Sequence, residues 1–248
     1  MNSNSALHFG LIGKRLNYSY SKMYFDKRFQ SHSNPGLIYH LIEVSDPDYI
    51  KSIIDEYNLS GFNITIPYKE SILPYCNTLS DDAKAVSAIN CVKIENQSLA
   101  GHNTDIGGFT DLLTHCKLDP QIKALVLGNG GAAKSIIYVL KQKEIDFVIA
   151  SRHPQSGMIH WNDLDRLDLT EYQIIINCTP IGTWPAVDDT IPIDYTKINF
   201  THICIDLVYN PAKTVFLKLS EAQGAKIMNG LPMLQKQAEL SWKFWNLI

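Results

Sequence analysis

The sequence predicts an α/β protein of two domains, and three observations predict it. The stretch Lys123-Ala-Leu-Val-Leu-Gly-Asn-Gly-Gly-Ala-Ala-Lys-Ser-Ile-Ile-Tyr-Val-Leu140 is an apolar run, a glycine-rich turn and an apolar pattern at helical spacing, which reads as strand, tight turn and helix. Strand and helix signals alternate on both sides of it, as they do where helices cover a sheet. The 248 residues are enough for two modest domains, each with a sizeable core.

From the N-terminus, His8 to Gly13 is a short buried strand, and Tyr20 to Gln30 carries Met23, Phe25 and Phe29 at roughly helical intervals. Leu37 to Val44 is a second strand. Asp46 and Pro47 supply an N-cap and a first-turn proline for a helix to about Tyr57. Gly61 to Ile66 is a third strand, halted by Pro67, and Lys69 is expected in the first turn of a helix that follows. Asn90 to Glu95 and Ser98 to Asn103, split by Asn96-Gln97, read as a hairpin, and Thr104-Asp105 opens a helix through His115. Beyond the glycine-rich unit, Phe147 to Ala150 is a strand, whereas Ser151 to Leu169 carries no clear signal. Strands resume at Tyr172 to Asn177, Ile203 to Leu207 and Lys226 to Met228, with a helix from about Thr214 to Gln223. Met233 to Trp245 is a closing amphipathic helix.

Composition narrows the function. Charged residues are 19% of the chain and the net charge is -3, so no basic excess suits nucleic acid, and a small-molecule partner is expected. The five Cys show no C-x-x-C pair or metal-ligand spacing, and no His pattern implies a metal site. No basic segment leads into an apolar core at the N-terminus, and no apolar run reaches the roughly eighteen residues of a membrane helix. The expectation is a cytoplasmic protein with reduced thiols, no membrane partner, and a monomer or homodimer.

Gly128 and Gly130 stand where a dinucleotide-binding turn needs a tight bend and an unobstructed backbone beside a pyrophosphate, with Ala133 in place of a third glycine. The helix after the turn would face the phosphates with unpaired N–H groups. A plain strand-to-helix turn satisfies the same pattern. The flank decides more: about twenty residues after the first glycine, the second strand ends at Ser151-Arg152-His153. That tip has no acid for a ribose 2′-hydroxyl and one Arg able to meet a 2′-phosphate, which favours NADP over NAD.

Other polar clusters fall at strand ends, where open α/β sheets place ligand groups. Tyr18-Ser19-Tyr20-Ser21 is also explained as a helix cap. Asn63 and Thr65 share one strand face by the period of two. Lys69, in N-x-T-x-P-x-K, is either a solvated lysine or one with a task, because a cation in a first helical turn opposes the helix dipole. Asp105 suits an N-cap or first-turn acid as well as a site role. Asn177-Cys-Thr-Pro-Ile-Gly182, and Tyr209-Asn-Pro211 after Asp206, suit proline turns. Met233 and Gln237 lie one helical turn apart and can face one site, although a helical Met is also core filler.

Taken together, the series Ser19-x-Ser21, Asn63-Ile-Thr-Ile-Pro-Tyr-Lys69, Ser87-Ala-Ile-Asn90, Asn103-Thr-Asp105, Gly128-Asn-Gly-Gly-Ala132, Asn177-Cys-Thr179, Asp206-Leu-Val-Tyr209-Asn-Pro211 and Asn229-Gly-Leu-Pro-Met-Leu-Gln-Lys-Gln237 resembles the shikimate dehydrogenase family over nearly the whole chain. The resemblance implies an N-terminal α/β substrate domain (1–103 and 231–248) and a Rossmann-type NADP-binding domain (104–230) around a cleft. It implies reversible, NADP-dependent reduction of 3-dehydroshikimate to shikimate, with Lys69 and Asp105 as the catalytic pair. Ser19 and Ser21 would hold the substrate carboxylate, and Asn63, Thr65, Asn90, Tyr209 and Gln237 would line the rest of the site. The cofactor would meet Gly128, Asn129, Gly130, Gly131, Ala132, Ser151, Arg152, Cys178, Thr179 and Met233. The chain departs from the family pattern at Lys22, usually proline, which is expected to loosen the helix start. It departs again at Pro232, usually glycine, and at Gln155 and Ser156, where a further basic residue is common. Two other readings share the motifs: a quinate/shikimate dehydrogenase of broader specificity, and a nucleotide-binding sensor without turnover, which would not need Lys69 and Asp105 together.

Overall fold

A computed structural model describes residues 6–16, 19–31, 36–116, 118 and 122–247. The chain divides into two compact units, one of residues 1–108 and 234–248 and the other of residues 109–233.

The first unit begins β1 (Leu7–Gly13), α1 (Tyr20–Gln30), β2 (Leu37–Glu43), α2 (Ile50–Tyr57) and β3 (Leu59–Ile64). Short β4 (Thr78–Leu79) and α3 (Asp81–Val86) follow, then the hairpin β5 (Cys91–Glu95) and β6 (Ser98–His102), and the start of α4 (Thr104–Thr114). The strand order is β2-β1-β3-β5-β6-β4, with β1 parallel to both β2 and β3, and β5 antiparallel to β3 and β6. Alternation along the strands sorts two cores. Ile12, Phe62 and Ile64 pack with Ile50 and Ile53 of α2 on one face. Phe9, Leu11 and Tyr39 pack with Phe25 and Phe29 of α1, and with Trp242 and Trp245, on the other. The hairpin turn matches its residues: Asn96 and Gln97 both have positive φ (49° and 63°), as a two-residue turn matched to strand twist requires. The short α3 has a legible start, since the Ser80 side chain accepts from Ala83 N and two acids occupy its first turn.

The second unit runs from the rest of α4 through β7 (Lys123–Leu127), α5 (Gly131–Gln142), β8 (Asp146–Ser151), β9 (Ile159–His160), β10 (Ile174–Asn177), β11 (Ile203–Asp206), α6 (Val215–Ala222) and β12 (Lys226–Met228). The start of α7 (Leu231–Phe244) also belongs to it, and the rest of that helix returns to the first unit. Its sheet is parallel throughout in the order β12-β11-β10-β7-β8-β9. In order of appearance that is 6-5-4-1-2-3, the doubly wound arrangement whose switch point lies between the first and fourth strands, here β7 and β10. The buried runs Leu125 to Leu127 and Ile174 to Ile176 are continuous rather than alternating, as central parallel strands require. The weakly signalled segment after β8 holds the two-residue β9 followed by two 3₁₀ turns (Trp161–Arg166 and Leu169–Glu171). Among the described residues no helix is long and apolar enough to cross a membrane.

One expectation about secondary structure fails. Lys69 does not lie in a first helical turn: residues 66–72 form successive turns, closed by Tyr68 N–H to Thr65 O (3.0 Å) and Ile72 N–H to Tyr68 O (3.1 Å), before a 3₁₀ segment at Leu73–Tyr75. These isolated closures make no aligned dipole, so no helix dipole acts on Lys69.

Candidate active site

In the first unit a hydrogen-bonded network joins Asn63 of β3, Asn90 before β5, the start of α4 and Gln237 and Ser241 of α7. Asn103 caps α4 by accepting from Ile106 N (3.2 Å), and this sets Thr104 and Asp105 in the helix's first turn. Asp105 is 5% exposed and meets Lys69 Nζ at 2.6 Å through Oδ2. Its other oxygen accepts from Asn90 Nδ2 at 2.8 Å. The Asn90 amide has one possible orientation, because its Oδ1 accepts the Thr104 backbone N–H at 2.7 Å and a backbone N–H cannot be an acceptor. The NH₂ end therefore faces Asp105 and Gln237 Oε1 (3.1 Å).

A second layer supports the first. Asn63 Nδ2 donates to Asn90 O (3.1 Å) and to Ser241 Oγ (2.8 Å), while its Oδ1 accepts from the Tyr39 hydroxyl (2.9 Å). Ser241 in turn donates to Gln237 O (2.9 Å), and the Thr104 hydroxyl lies 3.2 Å from Gln237 Oε1. Burial pushes the Tyr39 hydroxyl well above the usual tyrosine range, so it stays a donor at working pH.

Donors that remain available mark the side a ligand can use. Lys69, whose side chain is 14% exposed, spends one N–H bond on Asp105 and has no other side-chain partner among the described residues. The NH₂ of Gln237, the hydroxyl of Thr65 and that of Ser21 are likewise uncommitted there. Ser19 is the N-cap of α1, accepting from Ser21 N at 3.2 Å, so the capping reading of this pair holds as geometry and leaves the Ser19 proton to donate. Tyr18 lies outside the described residues. Lys22, in the place of a usual proline, bonds Asp26 and the Tyr39 carbonyl (2.9 Å), which ties the start of α1 to β2 rather than loosening it. No hydrogen bond among the described residues joins Ser19, Ser21 or Thr65 to the Lys69–Asp105 network. Sequence reasoning missed Thr104, Ser241 and Tyr39, whose roles depend on partners far along the chain.

In the second unit, the loops after β7 and β10 meet at the switch point. Gly128 has φ +107°, and a Cβ there would lie 3.0 Å from Thr179 Cγ2, so the turn needs glycine both for its conformation and for space. Around Gly130 a Cβ would meet nothing within 4 Å. Gly130 caps α5 with no side-chain bond, leaving the N–H groups of the first turn, from Gly131 and Ala132 onward, for an anion. Asn129 sits between the two glycines. Ser151 ends β8 and accepts from His153 N (3.2 Å), while exposed Arg152 takes no partner among the described residues. This donor set fits a dinucleotide: open backbone for a pyrophosphate and an unpaired cation at the end of the second strand.

Asn177 ends β10 and accepts the N–H (2.9 Å) and hydroxyl (2.6 Å) of Thr179 on its Oδ1. Its Nδ2 donates to Asp206 Oδ1 at 2.9 Å. Asp206, fully buried, also accepts from Val208 N (3.0 Å) and the Thr214 hydroxyl (2.6 Å). Burial raises its carboxyl to about 6 against the opposing pull of those donors. Burial and the Asp206 charge push the Cys178 thiol well above the ordinary cysteine range, which makes it a poor nucleophile. Tyr209 is half-buried in the segment after β11, and Met233 is buried near the start of α7. Among the described residues no three His, Cys, Asp or Glu side chains gather as metal ligands would.

The family model for the shikimate dehydrogenase substrate-binding domain matches residues 11–92. A shikimate dehydrogenase (NADP(+)) of Clostridium botulinum is 36% identical over 249 residues, covering 96% of each chain. The chain belongs to the shikimate dehydrogenase family. The chorismate mutase/shikimate 5-dehydrogenase fusion protein of Clostridium acetobutylicum superposes with a TM-score of 0.85 at 31% identity, over 98% of this chain and 92% of that one. The shikimate 5-dehydrogenase of Thermus thermophilus, solved with NADP(H) and shikimate, has a TM-score of 0.82 at 25% identity, over 98% and 94%. The two-unit α/β architecture, with a substrate domain and a Rossmann-like nucleotide domain, is therefore that of the family.

Proposed function

We propose that this chain catalyses the NADP-dependent, reversible reduction of 3-dehydroshikimate to shikimate. The observation that carries the proposal is the Lys69–Asp105 pair: an ammonium held at 2.6 Å by a buried carboxylate that Asn90 fixes from behind. When bound, NADP supplies or accepts the hydride. Lys69 donates the proton to the oxygen that develops negative charge at the same carbon, and takes it back in the oxidative direction. Asp105 holds the ammonium in place, and the uncommitted donors of Gln237, Thr65, Ser19 and Ser21 orient the ring and its carboxylate. Tyr209 is assigned to the substrate as well. The Asn63 and Asn90 amides, already spent within the protein, orient their neighbours.

In the second unit, Gly128 to Ala132 receive the pyrophosphate, Ser151 and Arg152 the adenosine end, and Cys178, Thr179 and Met233 the nicotinamide side. The first unit, residues 1–108 with 234–248, serves as the substrate domain and the second, residues 109–233, as the nucleotide domain, so the expected boundaries at 103/104 and 230/231 move by a few residues. The decisive assay follows NADP⁺ reduction with shikimate, with quinate as alternative substrate and NAD⁺ as alternative acceptor. Turnover of shikimate with NADP⁺ is expected, and its absence overturns the proposal. Arg152→Ala should weaken NADP by roughly ten- to hundredfold and NAD far less, since a charge-assisted contact contributes about 1.5–3 kcal/mol. Equal weakening would place the 2′-phosphate elsewhere.

A further inference from the structure

Asp206 is a buried carboxylate to which the reaction assigns no step. It is fully buried at the end of β11, and among the described residues it has no cationic partner. Its bonds come from three separate places: the Asn177 amide at the end of β10, the Val208 N–H in the following loop, and the hydroxyl of Thr214, which caps α6 by accepting from Leu217 N. All three are donors, so the arrangement fits an ionised carboxylate with both oxygens accepting. A proton on either oxygen would face a donor and force one group to turn.

The consequence reaches the nucleotide turn in two links. Asp206 Oδ1 takes the Nδ2 end of Asn177, which commits Asn177 Oδ1 to Thr179, where it accepts from both the N–H and the hydroxyl. Thr179 in turn packs on Gly128, so closely that a Cβ on Gly128 would lie 3.0 Å from its methyl carbon. We infer that Asp206 is a positioning residue for the cofactor: its ionised carboxylate orients Asn177 and thereby holds Thr179 against the glycine turn. The inference rests on the proposed nucleotide site and goes beyond it by giving cofactor affinity a pH dependence with a source outside the contacting residues.

The titratable groups near Asp206 do not compete in the same range. Cys178, in the adjoining loop, is pushed well above neutrality, and burial raises Tyr195, in the 3₁₀ turn Tyr195–Lys197, to about 12. The raised carboxyl of Asp206, at about 6, puts its own transition within reach of experiment. Cofactor affinity should fall as pH drops through that range, because the protonated form no longer accepts from every donor.

The test is fluorescence titration of the full chain with NADH and NADPH from pH 5 to 8. NADH is the critical ligand, since it has no 2′-phosphate titrating in the same range. Wild type should weaken several-fold towards pH 5. Asp206→Asn should bind both cofactors about tenfold more weakly at pH 8, with a nearly flat NADH profile and little change in the KM for shikimate. Thr214→Val keeps the carboxylate but removes one donor, so its NADH midpoint should move to higher pH; this arm stands even if Asp206→Asn fails to fold. An Asp206→Asn protein with lowered Tm but native cofactor affinity and an unchanged pH profile would make Asp206 merely structural and overturn the inference. So would an unmoved midpoint in Thr214→Val. Absence of any cofactor binding by wild type would instead overturn the nucleotide-site reading on which the inference rests.

Discussion

Among the described residues each unit buries one carboxylate among hydrogen-bond donors, Asp105 just beyond β6 and Asp206 as the last residue of β11, and the two are balanced in opposite ways. Asp105 has a cation against it, Lys69 at 2.6 Å, and an amide behind it. Among the described residues Asp206 has neutral donors alone, from Asn177, Val208 and Thr214. The Lys69 side chain remains 14% exposed with N–H bonds to spare, whereas every donor around Asp206 is already committed inside the protein. An ion pair left open on one side can exchange a proton with a ligand. A closed set of neutral donors can only hold its neighbours in register. The same residue type thus serves chemistry in one unit and geometry in the other, and the difference lies in where the partners' remaining bonds point.

The largest effect should come from opening the first arrangement. General acid–base help is typically worth 10²- to 10⁴-fold in rate. Lys69→Ala should lower kcat by about that factor with a much smaller change in the KM for shikimate. Asp105→Asn should also lower kcat, and the double variant should fall far short of additive if the two act as one unit. A Lys69→Ala enzyme with near-native kcat would reduce the lysine to a binding residue, and the contrast with Asp206 would lose its chemical half.

Stability separates the two carboxylates next. Lys69→Met leaves Asp105 buried with no counter-charge, and breaking a buried pair in this way costs about 3–5 kcal/mol. Urea denaturation should show that loss at neutral pH. Adding Asp105→Asn should restore most of it, because an amide oxygen can still accept from Asn90. If the double variant is no more stable than Lys69→Met, the damage lies in packing rather than in an uncompensated charge.

Asp206 should behave in the opposite sense. Its carboxyl is raised in the folded protein, from an ordinary 3.8 to about 6, so the folded state binds the proton more tightly than the unfolded state does. Its favourable contribution is complete below about pH 4 and is lost as pH rises through about 6, a change of about 3 kcal/mol. Measured against Asp206→Asn, wild type should therefore lose relative stability between pH 4 and 7. A constant gap between the two melting temperatures over that window would mean that the carboxylate is solvated or paired after all.

Local chemistry explains which parts of this were legible in the sequence. The glycine turn at Gly128 and the hairpin at Asn96-Gln97 are backbone requirements met by their own residues, and both are present. The cap at Ser19 and the first-turn position of Asp105 are local as well. The short α3 had a cap signature, Ser80 before two acids, that a search for long periodic segments passes over. Lys69 failed as a helical residue because single turn closures satisfy residues 66–72 without a ladder, which a proline and a spacing do not distinguish. The supporting layer was out of reach for a different reason. Ser241 pairs with Asn63 across a separation of 178 residues, and nothing in an amphipathic helix marks one serine as buried beneath a site. Nor could sequence alone show that Asp206 has no cation against it among the described residues, since that depends on which loops the sheet order brings together.

The smallest predicted effect tests how closed the supporting layer of the first unit is. Ser241 is fully buried, accepts from Asn63 at 2.8 Å and donates to Gln237 O at 2.9 Å. Ser241→Ala removes both bonds and a longer contact to the Thr104 hydroxyl (3.5 Å), but Asn63 keeps its bonds to Asn90 O and the Tyr39 hydroxyl, so only one of its N–H groups is stranded. The cost should be about 1–2 kcal/mol of stability. The more telling readout is kinetic. Asn90 retains its own anchor at Thr104, so the Lys69–Asp105 pair should keep its geometry and kcat should change little. Gln237 loses the bond to its backbone, and the KM for shikimate should rise by a few-fold. A fall in kcat comparable to that of Asp105→Asn would show that Ser241 governs the catalytic pair itself, and the two layers would then have to be treated as one cooperative network, as open to disruption from behind as from the ligand's side.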